Sequence, residues 1–264
     1  MNMSATVKSS ALRRLGHILA LTLLGAVGFG ADTICAAETP TNSPVQFLAY
    51  YIRVFARAQK QFEAEPANNA AACEFARAAF DRGEFATNDT ERASIAVQGI
   101  AACRTVLKRD PKCVPAHFYL GMNLGQLART KMLGALPLVD EMEAAFKTAR
   151  QLDERFDFAG PDRCLGQLYL EAPGWPTSVG SKSKARSHLQ RAAIIAPDYP
   201  ENRLILAEAY LRWKEIANAR REMMALKTLL PVSKTNFVGE AWASSWVDWE
   251  SRQAKVEKKL PKTK

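Results

Sequence analysis

The sequence predicts an all-α protein built from helical hairpin repeats, and three observations support this. Apolar residues recur at helical spacing from Val45 onward, and no clear run of alternating apolar and polar residues indicates a strand. A leucine followed by a small residue occurs three times, at Leu120–Gly121, Leu165–Gly166 and Leu206–Ala207. A second helical pattern follows each of these pairs, as expected for a helix–turn–helix unit.

Small residues explain how the two helices of each unit can pack. They let two helix backbones approach closely, while larger side chains fill the space beside the contact. A second large residue recurs four positions after each leucine: Leu124, Tyr169 and Tyr210. The second helices carry matching sets: Met142, Phe146 and Ala149; Ala185, Leu189 and Ala192; and Ala219, Met223 and Leu226. Pro197 and Pro231 follow the last two sets and are expected to end those helices.

This pattern resembles the tetratricopeptide repeat (TPR), a helix–turn–helix unit of 34 residues. The resemblance implies about four hairpins, stacked as an α-solenoid or a compact bundle. The three leucines are 45 and 41 residues apart, so some connections must carry insertions. The candidates are residues 81–92, where Asn88 and Glu91 read as a helix N-cap pair, and residues 171–181.

Residues 1–37 read as an export signal. Lys8, Arg13 and Arg14 precede an apolar run over residues 17–31, and small residues at Cys35 and Ala37 suit a cleavage site. Cleavage after Ala37 would place the protein in the periplasm or outside the cell, with no stable membrane anchor. A retained membrane anchor is the alternative, but the apolar run is shorter than the roughly 20 residues that a span needs. The residues before Cys35 do not match a lipoprotein signal.

The rest of the chain divides into a polar linker over residues 38–45, a repeat domain over residues 46–257 and a basic tail over residues 258–264. A helix is expected near the end of the repeat domain, with three tryptophans on one face: Trp242, Trp246 and Trp249. We expect it to cover the open end of the last repeat, because a solenoid must seal its terminal core. An exposed aromatic binding strip is the alternative.

Four cysteines lie beyond the export signal: Cys73, Cys103, Cys113 and Cys164. An exported protein meets oxidising conditions, and four cysteines permit three disulfide connectivities. Cys73 lies near the start of one helix and Cys103 near the end of the next, so antiparallel packing could bring them together. We therefore expect a Cys73–Cys103 bridge, which requires Cα atoms about 4.4–6.8 Å apart.

In a TPR groove the first helix of each repeat faces the concave side. The outward positions include Phe118, Met122, Arg163, Gln167 and Glu208, which form a mixed apolar and polar surface. Such a groove could hold a peptide from a partner protein. It could equally be filled by the chain's own aromatic helix over residues 47–62.

Two features of the region around residue 170 invite both a structural and a functional interpretation. Arg163 follows Asp162 in the first turn of a helix, where the pair could form a cap with a local ion pair. Alternatively, Arg163 points into the groove and binds an anionic group.

Trp175 lies in a loop restricted by Pro173 and Pro176, and we expect it to fold back over the repeats; contact with a ligand or partner is the alternative.

The sequence gives no positive indication of an enzyme. His117 and His188 have no nucleophile or carboxylate at a recognisable spacing, and no phosphate-binding, dinucleotide-binding or zinc motif occurs. No cofactor or metal is therefore expected. The net charge of +9 is concentrated partly in the tail, and no nucleic-acid motif accompanies it.

Four linked stretches resemble one particular group of TPR proteins: AHFYLGMNLGQLARTK, FAGPDRCLGQLYLEAPGWPTSVGS, KARSHLQRAAIIAPDYPENRLILAEAYL and WASSWVDW. They are similar to the periplasmic T component of tripartite, ATP-independent (TRAP-type) transporters over roughly residues 70–250. The resemblance implies a helical bundle with a cleft or pore that associates with a solute-binding protein. The chain departs from that group in lacking a lipoprotein signal.

Two functions remain open at this stage. The first, which is the leading hypothesis, is an exported scaffold that binds another protein through its concave face. The second is a T-component-like accessory that handles a small solute for a transporter. A continuous cavity would favour the second function, and a solid core with a peptide-width groove would favour the first.

Overall fold

The computed structural model describes residues 44–131 and 134–261. These residues form ten α-helices and no β-strand: α1 (Pro44–Ala64), α2 (Asn69–Glu84), α3 (Asp89–Arg109), α4 (Val114–Arg129), α5 (Leu136–Leu152), α6 (Phe156–Glu171), α7 (Lys182–Ile195), α8 (Pro200–Arg212), α9 (Ile216–Asn236) and α10 (Glu240–Lys259). The predicted all-α class is therefore confirmed. The predicted export signal lies outside the described residues.

Helices α2 to α9 form four antiparallel hairpins, in which each helix packs against the next one in the chain. The first helices of successive hairpins also contact each other, from α2 to α4 and from α4 to α6. This is the stacking that a TPR-like repeat requires, because each hairpin buries its apolar face against a neighbour. Helix α1 packs against α2 at the N-terminal end of the stack.

The small residues of the repeat pattern lie where two helices come closest. A Cβ atom added to Gly121 would lie 2.5 Å from Cε1 of Phe146, and one added to Gly166 would lie 2.6 Å from Cδ2 of Leu189. Real Cβ atoms do not approach other carbons so closely. Phe146 and Leu189 are themselves buried, so the pattern correctly located the contact between the helices of each hairpin.

The connections follow the sequence-based expectation. Asn88 ends the α2–α3 connection, and its side chain accepts a hydrogen bond of 2.8 Å from the backbone N–H of Glu91. Residues 172–181 join the two helices of the third hairpin. The chain therefore enlarges this turn without interrupting the repeat.

Three boundaries differ from those expected. Helix α1 begins at Pro44, so it includes the last two residues of the predicted linker. Helix α10 runs to Lys259, two residues into the predicted tail. Pro231 does not end the last hairpin, because α9 continues to Asn236. Ser233 lies just beyond the proline, and its hydroxyl donates a hydrogen bond of 3.1 Å to the carbonyl of Leu229, one turn earlier in the same helix.

Helix α10 caps the last repeat, as predicted, by packing on α8. The indole of Trp249 is buried and donates to Glu201 at 2.5 Å, and that of Trp246 donates to the carbonyl of Phe237 at 2.7 Å. The same helix also reaches α1, a contact that the sequence did not predict. The first and last described helices therefore meet, and the repeats curve into a closed arrangement. No described helix combines the length and apolar character that a membrane span requires.

Candidate binding cavity

The concave side of the repeats encloses two adjoining chambers. The larger has a volume of about 650 Å³, and the smaller has a volume of about 320 Å³. The first helices of the hairpins line both chambers, while α1 closes one side of the smaller chamber and α10 contributes to both. Five side chains line both chambers and mark their junction: Phe80, Glu84, Met122, Cys164 and Gln167.

The junction carries two sulfur atoms and the side-chain amide of Gln167. The thiol of Cys164 lies 3.5 Å from the sulfur of Met122. The amide of Gln167 makes no hydrogen bond to any other described residue. Gln167 can therefore offer both a donor and an acceptor to a molecule that crosses the junction.

The larger chamber combines an apolar wall with a basic rim. Apolar lining comes from α4, α5, α6, α8 and α10: Gly121, Gly125, Met142, Phe146, Leu170, Ile205, Leu211 and Val256. At the rim, Arg212 pairs with Glu171 at 2.6 Å. Lys255 and Lys259 stand one turn apart on α10 and make no ion pair within the described part of the chain. These two ammonium groups give the opening an uncompensated positive charge.

Arg252 organises the wall between α8 and α10. Its buried guanidinium donates to Glu201 at 2.7 Å, to Asp248 at 2.9 Å, and to Glu208 at 2.7 and 2.9 Å. Burial and the nearby Glu201 raise the pKa of Asp248 to about 6, although Arg252 opposes this shift. Arg252 uses four of its five N–H groups to bind three carboxylates, so its main role is to hold the wall together.

The smaller chamber is aromatic and carboxylate-rich. Its rings come from α1, α2, α4 and α10, from the residue after α2 and from the turn before α8: Tyr50, Tyr51, Phe80, Phe85, Phe118, Tyr119, Tyr199, Trp242 and Trp249. Asp81 keeps 30% of its side chain exposed because it faces this chamber. Enclosure by protein nevertheless raises the pKa of Asp81 to about 7, against the opposing charge of Arg77, which lies 3.8 Å away.

Arg163 also borders the smaller chamber, but it is committed to holding the backbone. Asp157, Phe158 and Ala159 have φ angles of 49°, 56° and 60°, which side-chain-bearing residues rarely adopt. The buried guanidinium donates to the carbonyls of Asp157 and Phe158 at 3.0–3.2 Å, and to the carboxylate of Asp157 at 2.8 Å. Asn202 accepts a further bond at 3.3 Å.

These contacts correct the interpretation of Arg163 and Asp162 as a local ion pair, because Arg163 does not pair with the adjacent Asp162. Both terminal nitrogens of the guanidinium already bind other groups of the fold, which gives Arg163 a structural role. Anion binding by Arg163 stays a prediction. Asp162 is fully buried and instead accepts from Arg150 at 3.0 Å and contacts His188 at 2.6 Å. The His188 contact crosses from α6 to α7 and was missed, because it depends on how these helices pack.

The prediction that Trp175 packs against the repeats is wrong. Its side chain is 89% exposed, at the tip of the loop over residues 172–181. Backbone bonds nevertheless hold the loop: the N–H of Gly180 donates to Pro173 at 2.9 Å, and that of Ser181 donates to Tyr169 at 2.9 Å. A Cβ at Gly180 would lie 2.1 Å from the carbonyl oxygen of Ala172, so this position admits no side chain.

The remaining predicted groove residues fall at the cavity. Phe118 lines the smaller chamber and Glu208 the larger, while Met122 and Gln167 line both. Trp175 lies outside both chambers. The aromatic helix expected to fill the groove, now α1, forms a side of the smaller chamber instead, and its Phe55 and Phe62 pack on Phe75.

The predicted Cys73–Cys103 bridge is not formed, and the four cysteines of the described chain are free thiols. The register of the first hairpin explains the difference. Cys73 packs in a cluster with Val106 and Ala116, whereas Cys103 belongs to the main core with Ala76, one turn further along. The thiol nearest to Cys73 is that of Cys113, at 3.7 Å.

The structure leaves the prediction of no enzymatic activity untested. Among the described residues, no group of three His, Cys, Asp or Glu side chains is arranged to hold a metal ion. His188 contacts Asp162, but the same carboxylate is shared with Arg150 and serves the packing of α6 on its neighbours.

The comparisons with known proteins support the fold. A thermophilic TPR protein from Thermus thermophilus has a similar structure, with a TM-score of 0.59 and 18% identity over 81% of this chain and 95% of that chain. No family model and no curated protein matches the sequence. The chain therefore has a TPR-like helical repeat fold.

Proposed function

We propose that this protein binds a small solute with an apolar body and an anionic group in its central cavity. The observation that carries the proposal is the pair of adjoining chambers on the concave side of the repeats. Volumes of about 650 and 320 Å³ fall within the range of about 300–1,000 Å³ that is typical of ligand pockets. The apolar wall of the larger chamber suits the body of such a solute.

The charges at the opening favour an anionic group. Lys255 and Lys259 are not neutralised by described carboxylates, whereas Arg212 and Arg252 are paired. A carboxylate or phosphate entering the larger chamber would meet these ammonium groups first. Gln167 could then bind a second polar group of the solute at the junction.

The solute role agrees with the resemblance to the T component of TRAP-type transporters, and we propose an accessory role of that kind after export. Residues 1–37 support export because they have the order of charged, apolar and small residues found in a signal peptide. Mass spectrometry of the protein purified from its native cells tests this: the mature chain should begin at Glu38. An intact N-terminus, or a lipid on Cys35, would refute the proposed export.

Native mass spectrometry tests the solute proposal directly. Protein purified under non-denaturing conditions should carry one bound small molecule, and amphipathic carboxylates should raise its melting temperature. Gln167→Trp should fill the junction and abolish both effects. Val97→Trp adds the same ring on exposed α3 surface and should change neither. Failure of a broad panel of carboxylates, together with an empty purified protein, would contradict the proposal.

A second candidate function, docking of a partner protein, is favoured by Trp175. A largely exposed indole on a loop held by backbone hydrogen bonds is preorganised, and tryptophan is enriched among residues that dominate binding energy. Exposed Lys182 and Lys184 follow the loop; Lys182 lies 3.5 Å from Glu215, whereas Lys184 forms no ion pair with a described carboxylate. We therefore propose a partner with an apolar pocket bordered by acidic groups, such as a periplasmic solute-binding protein.

Affinity capture from a periplasmic extract tests docking. Wild-type protein should retain a partner that Trp175→Ala loses, while the cavity variant Gln167→Trp should keep it. Equal capture by wild type and Trp175→Ala would contradict docking through this loop. Since the two variants address different surfaces, either candidate function can fail without the other.

A further inference from the structure

Cys73 and Cys113 bring two thiols into contact at the N-terminal end of the repeat stack. Their sulfur atoms are 3.7 Å apart although the residues are separated by 40 positions in sequence. Cys73 lies in the second turn of α2, and Cys113 immediately precedes α4 as its N-cap residue. The contact therefore joins the first hairpin to the entry of the second.

The two thiols differ in access from the remaining cysteines. Cys113 is partly exposed, Cys73 is nearly buried beneath it, and Cys103 is completely buried. Cys164 lies at the junction of the two chambers. Of the four described cysteines, only Cys73 and Cys113 combine mutual contact with a route from solvent, which passes through Cys113.

We propose that Cys73 and Cys113 form a disulfide bond when the protein reaches an oxidising compartment. The sulfur atoms would have to move closer by rather less than 2 Å to reach the S–S length of about 2.05 Å. Small neighbours, Ala72 and Ala116, share the cluster around the pair. The occurrence of the bond in cells rests on the proposed export, but its connectivity does not.

Thiol–disulfide exchange accounts for the chemistry, with a disulfide-carrying oxidoreductase or glutathione disulfide as the oxidant. The thiolate of Cys113 attacks one sulfur of the oxidant, and the other sulfur leaves as a thiolate. Cys73 then loses its proton and attacks the sulfur of Cys113, which releases the second thiolate. Two electrons pass to the oxidant, two S–H bonds are lost, and one S–S bond forms.

Burial of Cys73 affects the second step, in which its thiolate attacks the sulfur of Cys113. Burial, followed by the nearby Cys113 thiol, raises the pKa of Cys73 to about 12. A free thiolate at this position is therefore disfavoured at neutral pH, and attack on Cys113 should be slow without a catalyst.

Peptide mapping of the full chain identifies the bond. Protein purified under reducing conditions is equilibrated in a glutathione redox buffer, blocked with N-ethylmaleimide under denaturing conditions, and digested without reduction. We expect one cross-linked pair of peptides carrying Cys73 and Cys113, with Cys103 and Cys164 alkylated. Cys113→Ser should abolish the cross-link, and the matched control Cys103→Ser should leave it intact.

Thermal unfolding gives a second measurement that needs no substitution. Oxidised wild-type protein should melt about 5–15 °C above the same protein after reduction, because the bond closes a long loop in the unfolded chain. A Cys73–Cys103 cross-link, or no cross-link in the oxidising buffer, would overturn the proposal. A cross-link formed in buffer but absent from cells would support the pairing and contradict the proposed export.

Discussion

The hydroxyl of Tyr51 in α1 lies 2.8 Å from the hydroxyl of Ser244 in α10. This contact joins residues 193 positions apart and closes the repeats around the smaller chamber. Arg53 and Glu240 add an ion pair of 2.8 Å between the same helices, but both side chains are largely exposed. The hydroxyl pair is therefore the more enclosed of the two contacts.

Tyr51→Phe should lower the free energy of unfolding by about 0.5–1.5 kcal/mol, the usual net value of one hydrogen bond. Ser244→Ala should have a similar effect, and the double variant should lose little more than either single variant. Chemical denaturation of all three measures this coupling. Tyr50→Phe is the matched control, since the Tyr50 hydroxyl has no hydrogen-bond partner among the described residues. Strictly additive losses would show that the hydroxyls do not interact.

Arg163→Ala should lower the free energy of unfolding by about 2–4 kcal/mol, because it leaves the carbonyls of Asp157 and Phe158 without their donor, at about 1–3 kcal/mol for each buried unsatisfied group. The substitution also leaves the left-handed segment at Asp157–Ala159 without its side-chain donors. Arg163→Lys should recover only part of the loss, because an ammonium group cannot span the same acceptors. Urea denaturation measures both.

Arg104→Ala provides the control for that experiment. Arg104 pairs with Glu141 at 2.7 Å, but its side chain is about half exposed, so its loss should cost less than about 1 kcal/mol. Similar losses for Arg104→Ala and Arg163→Ala would contradict the structural role assigned to Arg163.

Trp175→Ala should change the free energy of unfolding by less than about 0.5 kcal/mol, because the exposed indole has little packing to lose. Trp249→Ala, which removes a buried ring from the capping helix, should instead cost about 3–5 kcal/mol. Differential scanning calorimetry of the two variants compares them directly. A large loss in the Trp175 variant would mean that the ring packs against the repeats in solution.

Stability should fall as the pH rises from about 4 to about 7 through the contribution of Asp81. Burial raises the pKa of this carboxyl to about 7 in the folded protein, whereas an unfolded aspartate has a pKa of about 3.9. The folded state therefore binds more protons in this interval. The resulting stability is fully present below pH 4 and is lost as the pH rises through the folded pKa.

Asp81→Asn should flatten this part of the pH profile, because an amide stays neutral. Urea denaturation between pH 4 and pH 8 measures the slope in the variant and the wild type. Asp198→Asn changes an exposed carboxyl and should preserve the wild-type slope. An unchanged slope in the Asp81 variant would show that folding does not raise the pKa of this carboxyl.

Much of the repeat structure could be predicted because the residues that determine it lie within one hairpin. The leucine and small-residue pairs specify a close helix contact, and Gly121 and Gly166 occupy that contact in the structure. The three tryptophans likewise specify one apolar face on α10, and Trp249 is buried there. Helical periodicity and side-chain volume act over a few turns, so the sequence alone determined these features.

The position of the site depended on longer-range geometry. Outward positions on the first helices were predicted, but the closure of the cavity by α1 and α10 depends on the curvature accumulated over four hairpins. Which thiol lies nearest to Cys73 depends on how α2 is aligned with its neighbouring helices, where a shift of one turn changes the contact. The exposure of Trp175 depends on the direction in which the loop leaves α6. Sequence periodicity determined which faces are apolar; only the tertiary structure decided which distant faces meet, because small rotations between successive helices add up along the chain.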